Sequence, residues 1–208
     1  MNSPFNLNEK RMQILNTEGH LLIEGGPGAG KTTIALLKAK GIIDKGFVGK
    51  NQKILFLSFA RATISRVEEQ ARDLVPASHK KQIEINTYHG FSWSIIQSFG
   101  YLLNQHKRIK LITPPNLSAQ MAGIPEPDRN TYKSDLLSNN GVICFDLFSG
   151  TAASILGKSK KILSIISNAY PFIIVDEFQD TDDNEWKLIQ LLGTISTIVA
   201  LADLQQRI

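Results

Sequence analysis

Short apolar runs recur along the chain, and five of them have strand character: HLLIE from His20, KILFLSF from Lys53, IEINTY from Ile83, FIIVDE from Phe172 and STIVALAD from Ser196. Three are nearly continuous Ile, Leu and Val, the pattern of strands covered on both faces, as in a parallel sheet. Amphipathic stretches separate them. KTTIALLKAKGIID follows the first run, RATISRVEEQARDL the second and NEWKLIQLL the fourth. Strands alternating with helices predict an α/β domain, a parallel sheet with crossover helices on its faces. The alternation lapses between about 101 and 169, a region holding Pro114, Pro115, Pro125 and Pro127 and amphipathic pieces such as TAASILGKSKKILSII. An inserted, mainly helical subdomain is expected there, since an irregular connection of that length is uncommon.

Composition narrows the picture only slightly. A chain of 208 residues suits one generous domain, or a domain with a small insertion. The formal charge of +4 leans towards polyanionic partners, too weakly to predict nucleic-acid binding by itself. The single cysteine, Cys144, excludes an internal disulfide and fits a reducing compartment. MNSPFNLNEK lacks a basic-then-apolar signal pattern, and no apolar run reaches spanning length, so a cytoplasmic protein with no membrane partner is expected.

Two stretches carry chemistry. GGPGAGKT has Gly25, Gly30, Lys31 and Thr32 at the fixed positions of a phosphate-binding loop, between a predicted strand and a predicted helix. Glycines let the backbone curl until successive N–H groups face phosphate oxygens, and the helix start adds a positive dipole end. Gly25, Gly26, Pro27, Gly28, Ala29, Gly30, Lys31, Thr32 and Thr33 are therefore the expected nucleotide-binding run. Lys31 would reach the β- and γ-phosphates, and the Thr32 hydroxyl would ligate Mg²⁺. FIIVDEFQD places Asp176 and Glu177 at the end of an apolar strand, the edge where open α/β sheets bind ligands. Asp176 would hold Mg²⁺, partly through water, and Glu177 would orient and deprotonate an attacking water. The ordinary alternative is an acidic turn capping the helix that begins near Asn184. Loop and acids together point to an ATPase or GTPase.

The kind of NTPase comes from motifs spread along the chain. DEFQDT at 176–181 resembles the second motif of the UvrD/PcrA/Rep-like helicases of superfamily one. SFAR at 58–61, TYHGF at 87–91, ICFDLF at 143–148 and LADLQQRI at 201–208 are similar to further motifs of that family, in the same order and at comparable spacing. The resemblance implies a RecA-like P-loop motor domain that uses ATP and Mg²⁺ to move along single-stranded DNA, 3′ to 5′, engaging single-strand/duplex junctions. It also implies that Gln206 senses the γ-phosphate, with Asp203 positioning that segment. Phe59 would stack on a base, with Arg61 beside it, and Thr87 and His89 would contact the strand. Stacking tolerates any sequence, which suits a motor. Phe59 could instead be a core residue, and His89 a structural histidine.

Two departures from the family pattern stand out. The usual N-terminal LNxxQ, whose glutamine reads adenine, is LNEKR here. Arg11 occupies the glutamine position, and Gln13, two residues on, is the nearest substitute. The resemblance further implies a second, C-terminal motor domain that completes the nucleotide site, and none is expected within these 208 residues. Residues 1–208 alone are then expected to be nearly inactive. The basic runs HKRIK at 106–110 and KSKK at 158–161 read as solvated faces. A regulatory switch or defence-system component using the same domain without processive unwinding is the alternative function. A binding module without hydrolysis is disfavoured by intact Lys31, Thr32, Asp176, Glu177 and Gln206.

Overall fold

A computed structural model describes residues 8–59, 61–103 and 108–203. Helix α1 covers Glu9–Asn16, strand β1 Leu21–Glu24, helix α2 Lys31–Asp44 and strand β2 Ile54–Ser58. Helix α3, Arg61–Leu74, and the single turn α4, Ala77–Lys80, lead to β3 at Ile83–Thr87. Then come α5 (Tyr88–Phe99), β4 (Lys110–Leu111), α6 (Pro114–Gln120), α7 (Arg129–Asn140) and β5 (Val142–Ile143). Helices α8 (Phe148–Lys158) and α9 (Lys160–Ala169), strand β6 (Phe172–Val175), helix α10 (Asp183–Gly193) and strand β7 (Thr197–Ala202) complete the order. Among the described residues, no helix is long and apolar enough to cross a membrane.

The chain divides into two compact units. The first is drawn from Met1–Thr87, Ser164–Thr181 and Leu192–Ile208, the second from Tyr88–Leu163 and Asp182–Leu191. The first unit is built on a five-stranded sheet in the order β1-β7-β6-β2-β3, with every pairing parallel. Strand β2 is buried at every position, and Ile54, Leu55, Phe56 and Leu57 expose no surface. Such an unbroken apolar run is what a strand needs when both faces are covered. Helix α2 buries Ile34, Ala35, Leu36, Ala39 and Ile43 in one cluster with Ile23, Phe56, Ile174, Val199 and Leu201 from the strands. Helix α3 adds Val67 and Ala71, four residues apart and hence on one helical face. Because every strand is parallel, β1, β2, β6 and β7 all end at the same edge of the sheet. That edge carries Gly25, Phe59, Asp176 and Asp203.

The second unit is mainly helical, with a two-stranded parallel ribbon pairing Lys110 with Val142 and Leu111 with Ile143. Tyr88, Phe91, Ile95, Ile96, Ile143, Phe148 and Ile155 are its largest buried side chains. A small satellite core gathers Ile112, Leu117 and Cys144. The unit begins at Tyr88, ahead of the proline-marked stretch at 101–169, because α5 is an apolar helix whose partners lie in this unit. The stretch TAASILGKSKKILSII forms two helices. Ser159 leaves helical geometry at φ −141° and ψ 105°, and its Oγ accepts a hydrogen bond from Ile162 N at 3.3 Å, opening α9.

Candidate nucleotide site

The glycine loop leaves β1 with Gly25 N donating to Ala202 O at 3.2 Å, which ties it to the end of β7. Gly28 and Gly30 have φ of +72° and +82°, a left-handed backbone that residues with a Cβ rarely adopt. At Gly25 an added Cβ would lie 3.1 Å from Ala29 Cβ, so the loop closes tightly on itself. Gly30 precedes α2 without any side-chain cap. The first-turn N–H groups of Lys31, Thr32 and Thr33 thus form an uncapped helix start beneath a curled loop, a cradle for an anion. The Lys31 ammonium lies back over this loop. It donates to Gly25 O at 2.6 Å and Gly26 O at 3.3 Å, and lies 3.7 Å from Asp203 Oδ2.

Asp176 follows β6, and its N donates to Leu57 O at 2.9 Å. Only 3% of it is exposed. Burial, and then the neighbouring Glu177 charge, push its carboxyl up to about 6, against the opposing effects of a backbone hydrogen bond from Glu177 and the Lys31 cation. A buried carboxylate so placed is under-compensated, and a divalent cation would restore its charged form. Among the described residues no cluster of three or more His, Cys, Asp or Glu could cage a metal. A carboxylate and a threonine hydroxyl are donor types that Mg²⁺ accepts while it keeps waters and phosphate oxygens.

Glu177 has φ 48° and ψ 46°, and is the sole non-glycine residue at positive φ among those described. Such a conformation costs on the order of 1–3 kcal/mol and persists only where its surroundings enforce it. Gln179 contributes to that enforcement. Its Nε2 donates to Glu177 Oε2 at 2.8 Å, and its Oε1 accepts from Asp203 N at 2.8 Å. The carboxylate requires a donor and the N–H an acceptor, so the amide orientation is chemically dictated. Gln179 thereby joins the acid after β6 to the residue after β7. Gln179 lies inside the DEFQDT stretch, but its linking role is not legible there, since its partner lies 24 positions along the chain. The capping role considered for the acids belongs to other residues. Asp182 Oδ1 accepts from Asn184 N and Glu185 N at 2.8 and 2.7 Å, and Glu185 Oε2 accepts from Asp182 N at 3.1 Å, a reciprocal capping box at the start of α10.

Arg11, not Gln13, lies against the phosphate loop. Asn8 Oδ1 accepts from Arg11 N at 3.0 Å and starts α1, and the Arg11 guanidinium donates from Nη2 to Ala29 O at 3.2 Å. Gln13 instead lines a shallow concavity with Glu9, Met12, Asn16 and Thr17. Two residues along a helix is roughly 200° around its axis, so both cannot face the loop. Phe59 is half-buried just beyond β2, and Arg61 opens α3. Thr87 ends β3, its N–H donating to Asn86 Oδ1 at 2.9 Å. In the second unit, His89 is exposed on the first turn of α5, its ring 6.1 Å from Phe145 and 6.0 Å from Phe148. Trp93 stacks on Phe148 at 5.2 Å, so His89 belongs to an aromatic group that single motifs did not reveal. Lys110, Lys158, Lys160 and Lys161 are exposed. Gln206 lies outside the described residues.

The glycine loop between β1 and α2, with an acidic residue closing β6 in a parallel sheet, defines a P-loop NTPase fold. A family model described as an AAA domain matches residues 9–208, and the chain belongs to that family, in the form found in the N-terminal region of UvrD/PcrA-type helicases. Among curated proteins, it is 23% identical to a probable DNA helicase II homolog of Mycoplasma capricolum, over 92% of this chain and 33% of that protein. It is 20% identical to the ATP-dependent DNA helicase PcrA of Staphylococcus aureus, over 89% of this chain and 31% of that protein. A stretch of 95 residues is 32% identical to DNA helicase IV of Escherichia coli, covering 46% of this chain and 13% of that protein. The chain thus spans about a third of the length of the first two relatives.

Proposed function

We propose that this chain is the nucleotide-binding motor domain of a DNA helicase or translocase, coupling hydrolysis of a nucleoside triphosphate to movement on single-stranded DNA. The observation that carries this reading is the cluster at one sheet edge: Lys31 over the glycine loop, the buried Asp176 beside strained Glu177, and Gln179 linking Glu177 to Asp203. The Gly25–Thr33 run would hold the phosphates, and Lys31 would neutralise the terminal ones. Thr32 and Asp176 would hold Mg²⁺, which when bound would offset the negative charge of the phosphates. Glu177 would accept the proton of the attacking water, its carboxylate aimed by the Gln179 amide. The Gln179 bond to Asp203 N gives the hydrolytic acid a direct tie to the segment that continues to Gln206, proposed as the γ-phosphate sensor.

ATP appears in the name of the Staphylococcus relative, and DNA in the names of all three relatives. Phe59, Arg61, Thr87 and His89 are the proposed strand contacts. The 3′-to-5′ direction, action at junctions, and a C-terminal motor domain as partner rest on family resemblance. Calorimetric titration of Mg·nucleotide into the parent and Lys31→Ala tests the core of the reading. Lys31 opens α2 with its ammonium over the loop, and its removal should leave the circular dichroism unchanged while binding is lost. Equal affinity in both proteins refutes the phosphate site.

A further inference from the structure

The end of the phosphate loop away from Lys31 is also built. A cavity of about 250 Å³ lies there, lined by Arg11, Gly28, Ala29, Gly30, Thr33, Ile34 and Leu37. It is below the size of a drug-sized pocket, on the order of 300–1,000 Å³, and suits a single planar ring system. Lys31 turns towards Gly25, Gly26 and Asp203, which marks that end of the loop for the terminal phosphate. A nucleotide running the length of the loop would therefore bring its base to the Ala29–Thr33 end. There the apolar Ile34 and Leu37 supply a surface for the ring, and Arg11 supplies the polar edge.

The position of Arg11 is held from two sides. Asn8 caps α1 so that Arg11 falls in its first turn. At the other end of α1, buried Lys38 of α2 donates to Ile14 O at 2.8 Å and Thr17 O at 2.6 Å, clamping α1 onto α2. The guanidinium then reaches Ala29 O at 3.2 Å. A guanidinium carries N–H donors and no acceptor. It complements a purine edge presenting two acceptors, O6 and N7, and opposes the exocyclic amine that adenine presents at C6. A glutamine amide, with one donor and one acceptor, has the reverse preference.

We infer that Arg11 selects the nucleobase, so that purine triphosphates with a carbonyl at C6, such as GTP and ITP, bind more tightly than ATP. The inference rests on the phosphate-loop reading above, and the experiment separates the two. Mg·ATP, Mg·GTP and Mg·ITP are titrated calorimetrically into the 208-residue chain and its Arg11→Gln, Arg11→Lys and Lys31→Ala variants. The parent should favour GTP and ITP over ATP by about 5- to 100-fold, the discrimination of one good bidentate contact. Arg11→Gln should reverse the order, and Arg11→Lys, which keeps the charge without the planar fork, should flatten it. The ratio of affinities is the readout, because a merely structural loss of the Ala29 contact would weaken all three nucleotides alike. Equal or ATP-favouring affinities in the parent, ITP behaving as ATP, or an unchanged ratio in Arg11→Gln would each overturn the assignment while leaving the phosphate site standing. Binding that survives Lys31→Ala unchanged, or no binding of any triphosphate by the parent, would instead refute the phosphate site and the base assignment with it.

Discussion

Asp176→Asn should make the ligand-free protein more stable while disabling its cation site. The carboxyl is pushed from its usual 3.8 to about 6, by burial first and the Glu177 charge second. A folded-state value above the unfolded one means that the native state prefers the protonated form. This group's contribution is therefore most favourable below the unfolded value and is lost as pH rises through 6. Keeping Asp176 ionised at pH 7.5 costs about 3 kcal/mol, since each tenfold change in proton affinity is worth about 1.4 kcal/mol. Asparagine has the same shape and no charge, and its carbonyl oxygen can keep the backbone hydrogen bond from Glu177. Its NH₂ group, if poorly paired, takes back about 1 kcal/mol. A net gain of about 2 kcal/mol at pH 7.5 is expected, or roughly 4–8 °C in Tm for a chain of this size. The check is a pair of urea titrations, parent and variant, followed by far-UV circular dichroism at pH 7.5 and 4.5. Most of the difference should vanish at pH 4.5, where the parent's Asp176 is protonated in the native state. Adding Mg·nucleotide at pH 7.5 should stabilise the parent far more than the variant. A variant less stable than the parent at pH 7.5, or a difference indifferent to pH, would refute the electrostatic argument.

Three further positions probe neighbouring parts of the same edge. In a hydrolytically active protein carrying this domain, Glu177→Gln should retain nucleotide binding but lower turnover by about 10²–10⁴, the range for general-base catalysis, and an unchanged rate would remove Glu177 from that role. Gln179→Ala should leave nucleotide affinity nearly unchanged yet reduce turnover, because Glu177 loses the donor that aims it. Gln179→Glu, which places a second carboxylate beside Glu177, should shift the pH–rate profile in a way that simple loosening would not. Phe59→Ala should weaken single-strand binding by about 1–3 kcal/mol with little dependence on base sequence, and anisotropy titrations with oligonucleotides of different composition would show it.

Much of the fold is written in local periodicity. Helices α2 and α3 occupy the residues that the amphipathic pattern marks, 31–44 and 61–74, and β2 coincides with an unbroken apolar run. The break at Ser159 was not legible, because a serine between two amphipathic stretches is as compatible with one helix as with two. Nor was the boundary of the second unit at Tyr88. An apolar helix looks alike whether it covers a sheet or joins a helical cluster. At the site, spacing marks the glycine loop and the acids, since each lies within one short segment. Gln179 is different in kind. Its significance depends on β6 and β7 ending side by side, and only the sheet order supplies that fact. Arg11 was visible as a departure from the expected glutamine, but its contact with Ala29 depends on how Lys38 seats α1.

The strand order also governs how this domain can be made. Strand β1, which launches the phosphate loop, pairs with β7. The bond from Ile198 N to His20 Nδ1 joins positions 178 apart in the chain. A ribosome therefore delivers the phosphate loop long before the strand that anchors it. Until β7 emerges, β1 has no neighbour in its final sheet, and Leu22, still 48% exposed in the finished fold, stands on an open apolar edge. Pairings of such long separation form slowly and leave strand edges open to mispairing. Assembly of the nucleotide cradle is consequently a late event, coupled to the arrival of the same segment that carries Asp203 to the site.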